Sequence, residues 1–185
     1  MHSHAKKENV NSLFDTAPEF DQPLAVLKHC HDRIRKQNAT LGKLVPHLQE
    51  HGADQQAQKA ALGILRYFQM AAPKHHEDEE VDLLPTLQQV AKAEDAVLLQ
   101  DLLPKILQQH ELMAMMWAQL EVELTSISNG SAANLNAELV TQFQALYVEH
   151  MQIEETQIAP MAKRLFSEEQ MLSLGNAMKH RRGVE

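Results

Sequence analysis

The chain has 185 residues, 44% of them apolar and only 4% aromatic, a length and composition that suit one globular domain with a full core. A formal charge of −8 leaves no basic face for phosphate, so nucleic acid is a poor candidate partner. There is no run of about 18 apolar residues to span a membrane and no apolar core of a signal peptide near the N-terminus, so a cytoplasmic address is expected. The lone cysteine, Cys30, can form neither an intrachain disulfide nor a thiolate metal site by itself, whereas eleven histidines demand an explanation.

Residues 1–20 are polar and aperiodic and read as a tail, with residues 21–185 as one domain. From Pro23 the spacing becomes helical: Leu24, Leu27, His31, Ile34, Leu41, Leu44 and Leu48 recur every three to four positions. Gly52 is placed to stop this helix and Asp54 to cap the next. The second helix carries Leu62, Leu65, Phe68 and Ala72 and runs to about Val90, with Pro73 and Pro85 expected to bend or divide it. A turn at "AKAED" precedes a third helix over about 95–127, in which Pro104 is a candidate kink. The loop "SNGSAAN" leads to a fourth helix over about 135–165. Ser167 and Gln170 form a capping box for a short fifth helix ending near Lys179. No segment alternates as a strand does. The expected fold is all-α, an antiparallel up-down-up-down four-helix bundle with a short C-terminal fifth helix.

One segment stands out, HHEDEE at residues 75–80, and a second segment matches it. "KHHEDEEVDLLP" aligns with "EHMQIEETQIAP", pairing His75 with His150, Glu79 with Glu154, Glu80 with Glu155 and Pro85 with Pro160. Upstream, His31 in "HDRI" answers His110 in "HELM", at intervals of 44 and 40 residues. The chain therefore reads as two related helical hairpins. In antiparallel helices, residues equidistant from the connecting turn lie at one height. The midpoints of the successive histidine pairs are 53, 92.5 and 130, each inside an expected turn. His31, His75, His110 and His150 then share one layer, roughly 30 Å from the loop ends at about 1.5 Å per residue. Glu79 and Glu154 sit one turn from their histidines on the same faces. Four imidazoles and two carboxylates in a bundle interior need compensation, and a metal supplies it. Imidazole with carboxylate suits iron, manganese or zinc, and a pair of shared carboxylates suits two ions.

The pattern H…HxxxEE…H…HxxxEE, each second half ending in Pro, resembles the hemerythrin-like (HHE cation-binding) family over about residues 22–165. That resemblance implies an antiparallel four-helix bundle holding a non-heme di-iron centre, with two iron ions as cofactor. It further implies His31, His75, His110 and His150 as terminal ligands, Glu79 and Glu154 as bridges, and dioxygen, peroxide or nitric oxide at an open position. The oxygen-carrying members have HxxxH in the third helix, where this chain has Ala114 four residues after His110. With four helical histidines it looks more like the di-iron proteins linked to iron–sulphur cluster repair and nitrosative stress. Some of those take another histidine from beyond the first-helix ligand, a place that His51 matches only if helix 1 breaks at Gly42 or Pro46.

The remaining polar and aromatic residues have plainer readings. His29 cannot share a face with His31. His76 is expected to point sideways, with a hydrogen bond to a ligand carboxylate as its alternative role, and Glu80 and Glu155 to lie outside the ligand set or face solvent. Met113, Met115 and Met116 read as core filler, and Trp117 and Tyr147 as core residues able to line a gas pocket. Cys30 reads as a small buried residue. The basic run at 179–183 complements the dipole of helix 5. Without metal, Glu79 and Glu154 are expected to raise each other's pKa. The leading reading is a di-iron protein acting in oxygen, peroxide or nitric oxide response by sensing, redox chemistry or repair, with a protein partner as a further expectation. A carrier or store, a peroxidase or nitric oxide reductase, and a structural bundle holding zinc are the alternatives.

Overall fold

The computed structural model describes residues 18–184, and these form helices and turns with no strand among them. Of the tail expected over residues 1–20, all but the last three residues lie outside the described range. Phe20 does not behave as tail: it packs against the buried residues of the nearer end of the bundle. Among the described residues no helix is long and apolar enough to cross a membrane.

Helix α1, Pro23–His51, runs without interruption through Gly42 and Pro46. Proline at its start and Gly52 at its end, with φ 65°, follow the usual asymmetry of helix termini. Asp54 then caps α2, Gln55–Met70, its carboxylate accepting from the Ala57 N–H at 2.8 Å. The expected second helix is divided in the structure. It comprises α2, then α3 (Ala72–Glu77), a π-helical turn π1 (Asp78–Leu83) and α4 (Leu84–Val90). Pro73 stands at the start of α3 and Pro85 at the start of α4, so each proline begins a segment rather than interrupting one.

The third helix, α5, runs from Ala93 to Ser128 as one helix with Pro104 inside it. The fourth helix repeats the construction of the second: α6 (Ala137–Ile153), a π turn π2 (Glu154–Ile158) and α7 (Ala159–Leu165), with Pro160 at the start of α7. The Ser167 capping box forms as read, and α8 runs Glu168–Arg181.

Contacts run α1 to α2, α2 to α5, α5 to α6 and α6 back to α1, a square of antiparallel helices. Two apolar clusters fill it. One lies toward the loops at 52–54 and 129–136 and includes Ile34, Leu41, Leu120, Leu124 and Phe143; the other lies toward the α4–α5 turn and includes Leu27, Leu87, Ile106, Ile158 and Met178. The buried histidines and acids lie between them.

Helix α8 closes the second end. Gly175 lies under the Phe20 carbonyl, which a Cβ built there would approach to 2.0 Å. Gly63, exposed on α2, has open space around its Cα. Gly63→Ala should therefore stabilise the protein by about 0.5–1 kcal/mol through helix propensity. Gly175→Ala should destabilise it by about 1–3 kcal/mol through a backbone clash. Urea unfolding midpoints check both signs.

Candidate metal centre

Each central side chain is delivered by a regular helix except the two acids, which lie on the π turns. In π1 the turn is closed by the Leu84 N–H on the Glu79 carbonyl, and in π2 by the Ala159 N–H on the Glu154 carbonyl. These are i→i+5 bonds, and the next residue in each case is the repeated proline. A proline ring clashes with the carbonyl four residues back in a normal α-turn, and a widened turn relieves that clash. The matching prolines thus set the local geometry at Glu79 and Glu154.

The structure brings His31, His75, Glu79, His110, His150 and Glu154 together as two groups. His31, His75, Glu79 and Glu154 form one, Glu79, His110, His150 and Glu154 the other; in each, one nitrogen or oxygen per residue lies within 4.8 Å of all the rest. Glu79 and Glu154 belong to both. All six residues are at most 5% exposed.

The hydrogen bonds around this layer decide which nitrogens face inward. His31 Nδ1 is 2.9 Å from Glu155 Oε1, and His110 Nδ1 is 2.6 Å from Glu80 Oε1. A carboxylate only accepts, so each Nδ1 carries the hydrogen. In the neutral ring this leaves the Nε2 lone pair pointing to the centre. His31 Nε2 faces Glu154 Oε2 at 3.0 Å, and His110 Nε2 faces His150 Nε2 at 3.2 Å. His150 Nδ1 is turned to Gln109 Oε1 at 3.2 Å, so its Nε2 is also a lone pair. Two facing lone pairs repel unless a cation stands between them. Neither nitrogen of His75 has a hydrogen-bond partner, nor do Glu79 Oε2 and Glu154 Oε1, although all are buried. Leaving such groups unmade costs roughly 1–3 kcal/mol each, and the donor set of imidazole and carboxylate fits a divalent transition metal.

Electrostatics agree. Burial pushes the Glu79 carboxyl well above the usual carboxylate range, and the charge of Glu154 adds to the effect. Burial alone would raise Glu154 too, but His150, His31 and His75 hold it well below that range. The expectation that both would rise is thus corrected: the histidines stabilise one anion, and the proton stays on the other acid. Burial brings His150 down to about 4 and keeps His75 neutral as well.

Of the other expectations some hold and some need revision. His76 does not point sideways. Its ring stacks on His110 with centroids 4.1 Å apart and planes 14° apart, and its Nε2 is buried without a partner. Glu80 and Glu155 take the first of their two expected places, outside the ligand set: each orients the histidine of the opposite hairpin, and Arg35 also holds Glu155 at 2.9 Å. His51 is exposed at the loop end beside Glu50, far from the layer. Met113 is core, Met116 packs against it, and Met115 faces solvent. Tyr147 and Trp117 belong to the core and line a small cavity with His76. Cys30 is only partly buried, and burial pushes its thiol up.

The basic end of α8 does more than oppose a helix dipole. Arg181 and Arg182 both bind the fully buried Asp78, and Arg181 also takes Asp82 at 2.7 Å and Glu77 at 3.1 Å. These pairs fix π1 on both sides of Glu79. A sequence signal existed in the two adjacent arginines and the acids at 77, 78 and 82, but nothing in the spacing says that α8 folds back over π1.

A square helical bundle with a buried, doubly shared His/Glu layer defines a metal-binding bundle. The chain belongs to the hemerythrin HHE cation-binding domain family, whose model matches residues 22–162. It is also similar to a Haemophilus influenzae protein described as uncharacterized, with 29% identity over 166 residues, covering 90% of this chain and 93% of that protein.

The crossed histidine–glutamate pairs give a direct test. Glu80→Ala and Glu155→Ala should each weaken metal binding by about 10- to 100-fold, because the paired imidazole loses its orientation and basicity. Competition with a chromogenic chelator measures this, while circular dichroism should show unchanged helix.

Proposed function

We propose that this protein is a non-heme di-iron protein that binds a small ligand, dioxygen, peroxide or nitric oxide, in sensing, redox response or metal-centre repair. The observation that carries the reading is the membership of Glu79 and Glu154 in both ligand groups. Two carboxylates common to two sites suit two ions bridged by them. Iron so held supplies reversible electron transfer and an open position for a small ligand.

The chain's own residues do the rest. His31 and His75 serve one position and His110 and His150 the other, with Glu155 and Glu80 holding a hydrogen on the outer nitrogens of His31 and His110. Glu79 keeps its proton until a cation displaces it. A cleft of about 400 Å³ leads to His31, Glu79 and Glu154 between Leu24, Leu27, Leu83 and Ile158. These walls are largely apolar, with Lys28, Glu155 and Thr156 as further polar residues among them, and they admit a small molecule. The cleft favours a ligand-binding centre over a purely structural one, and the imidazole-rich set favours iron over magnesium or calcium.

Replacing Glu79 and Glu154 together with Ala should abolish magnetic coupling between irons, leaving at most one ion per chain; a coupled pair in that double variant removes them as bridges. His31→Ala and His110→Ala should lose metal to a comparable extent, one from each position.

The raised Glu79 carboxyl sets a pH dependence. Its proton competes with metal to a higher pH than an ordinary carboxyl's would, so affinity for ferrous iron should rise with pH until the pKa of Glu79 is passed. His150, already neutral above about 4, contributes little to that slope. Calorimetric titrations in buffers of different ionisation heat should report proton release on binding, and an affinity that falls with rising pH would contradict the assignment.

A further inference from the structure

The two metal positions are not served alike. In the first hairpin the residue after the second-helix histidine is His76, whereas the aligned residue of the second hairpin is Met151. His76, His110 and His150 form a third group in which one nitrogen from each lies within 4.8 Å of the others. His110 and His150 therefore have a partner that His31 and His75 lack.

From this placement we infer that His76 is a direct ligand, a third imidazole for the ion held by His110 and His150. The inference rests on the two-ion reading above. Three further observations support it. The Nε2 of His76 is buried and has no hydrogen-bond partner, the state of a nitrogen reserved for something other than protein. Its ring lies parallel to His110 at 4.1 Å and 5.9 Å from His150, so all three imidazoles crowd one spot. The space is available because the residue one turn beyond His110 is Ala114. Ala114 and His76 line the same solvent-open cavity of about 160 Å³, together with Phe68, Trp117 and Tyr147. A histidine at 114 would reach into that space from α5; here the imidazole enters from α3 instead.

His76 stands outside the group that contains both carboxylates, so it approaches from the face that Glu79 and Glu154 leave open. The ion at His110 and His150 then has three imidazoles and two carboxylates around it. The ion at His31 and His75 has two of each and borders the 400 Å³ cleft. An incoming small ligand is accordingly taken at the His31 side, where the ion has fewer protein ligands.

The test compares wild-type protein with His76→Leu, which keeps the side-chain volume, and His76→Ala, which leaves room for a free imidazole. Metal-free protein is titrated anaerobically with ferrous iron, and the loaded samples are examined by iron Mössbauer spectroscopy. Wild type should take two ions and show two unequal signals. In His76→Leu the first ion should bind as before, the second should bind about 10- to 100-fold more weakly, and the two signals should converge. Added imidazole should restore the second affinity and the unequal signals in His76→Ala alone. If both variants bind two ions with wild-type affinity and unchanged signals, His76 is not a ligand although the two-ion reading stands. Weaker binding that imidazole fails to rescue in His76→Ala makes His76 a packing residue and also overturns the inference. If wild type itself takes only one ion, both this inference and the di-iron reading fall.

Discussion

Two carboxylates, Glu79 and Glu154, meet in a buried layer, and the rest of the molecule is arranged around that fact. Burial makes two adjacent negative charges untenable, which is why the carboxyl of Glu79 is pushed up while Glu154 stays charged among histidines. Surrounding them are imidazoles whose outer nitrogens are occupied by Glu155, Glu80 and Gln109, so their inner lone pairs converge. A cation resolves all of these conflicts at once. The proton that Glu79 retains satisfies only part of this layer, because the imidazole nitrogens that face the centre remain acceptors.

The bundle keeps this layer open by building stability elsewhere. Apolar clusters fill the interior on both sides of it, and burial at about 25 cal/mol per Å² gives each cluster a stake independent of the centre. The π turns spend regular hydrogen bonding at the two acids, and the prolines that follow make the widened turn the less strained choice. On one hairpin the turn is further fixed by the paired arginines of α8 on Asp78. The other hairpin has no equivalent among the described residues, so the pseudo-symmetry of the sequence ends where α8 packs.

The fold was largely legible because helix period, Gly52, Asp54, the "SNGSAAN" loop and the Ser167 capping box are local signals that tertiary packing did not overrule. The six central residues came from a different kind of signal, an internal repeat whose midpoints fall in turns; that argument also counted against His51, which the structure leaves exposed at the loop end. What escaped was non-local or below the resolution of a 3.6 period. A π turn shifts facing by a fraction of a turn, and that shift is invisible in residue spacing. His76 was read as sideways because its partner in the repeat is Met151, yet the missing side chain at Ala114 gave it a place inside. For Glu80 and Glu155 a place just outside the ligand set and a solvent-facing one both stayed open, since a helical wheel cannot show that each reaches across to the other hairpin. The clamp of α8 on π1 depends on how the fifth helix docks, which no pattern within that helix specifies.

Anomalous diffraction at the iron absorption edge, from crystals of protein loaded anaerobically with ferrous iron, tests the central claim most directly. The account predicts two iron peaks per chain, both in contact with Glu79 and Glu154, with His31 and His75 on one and His110 and His150 on the other. A single peak, or two that do not share the carboxylates, would contradict it.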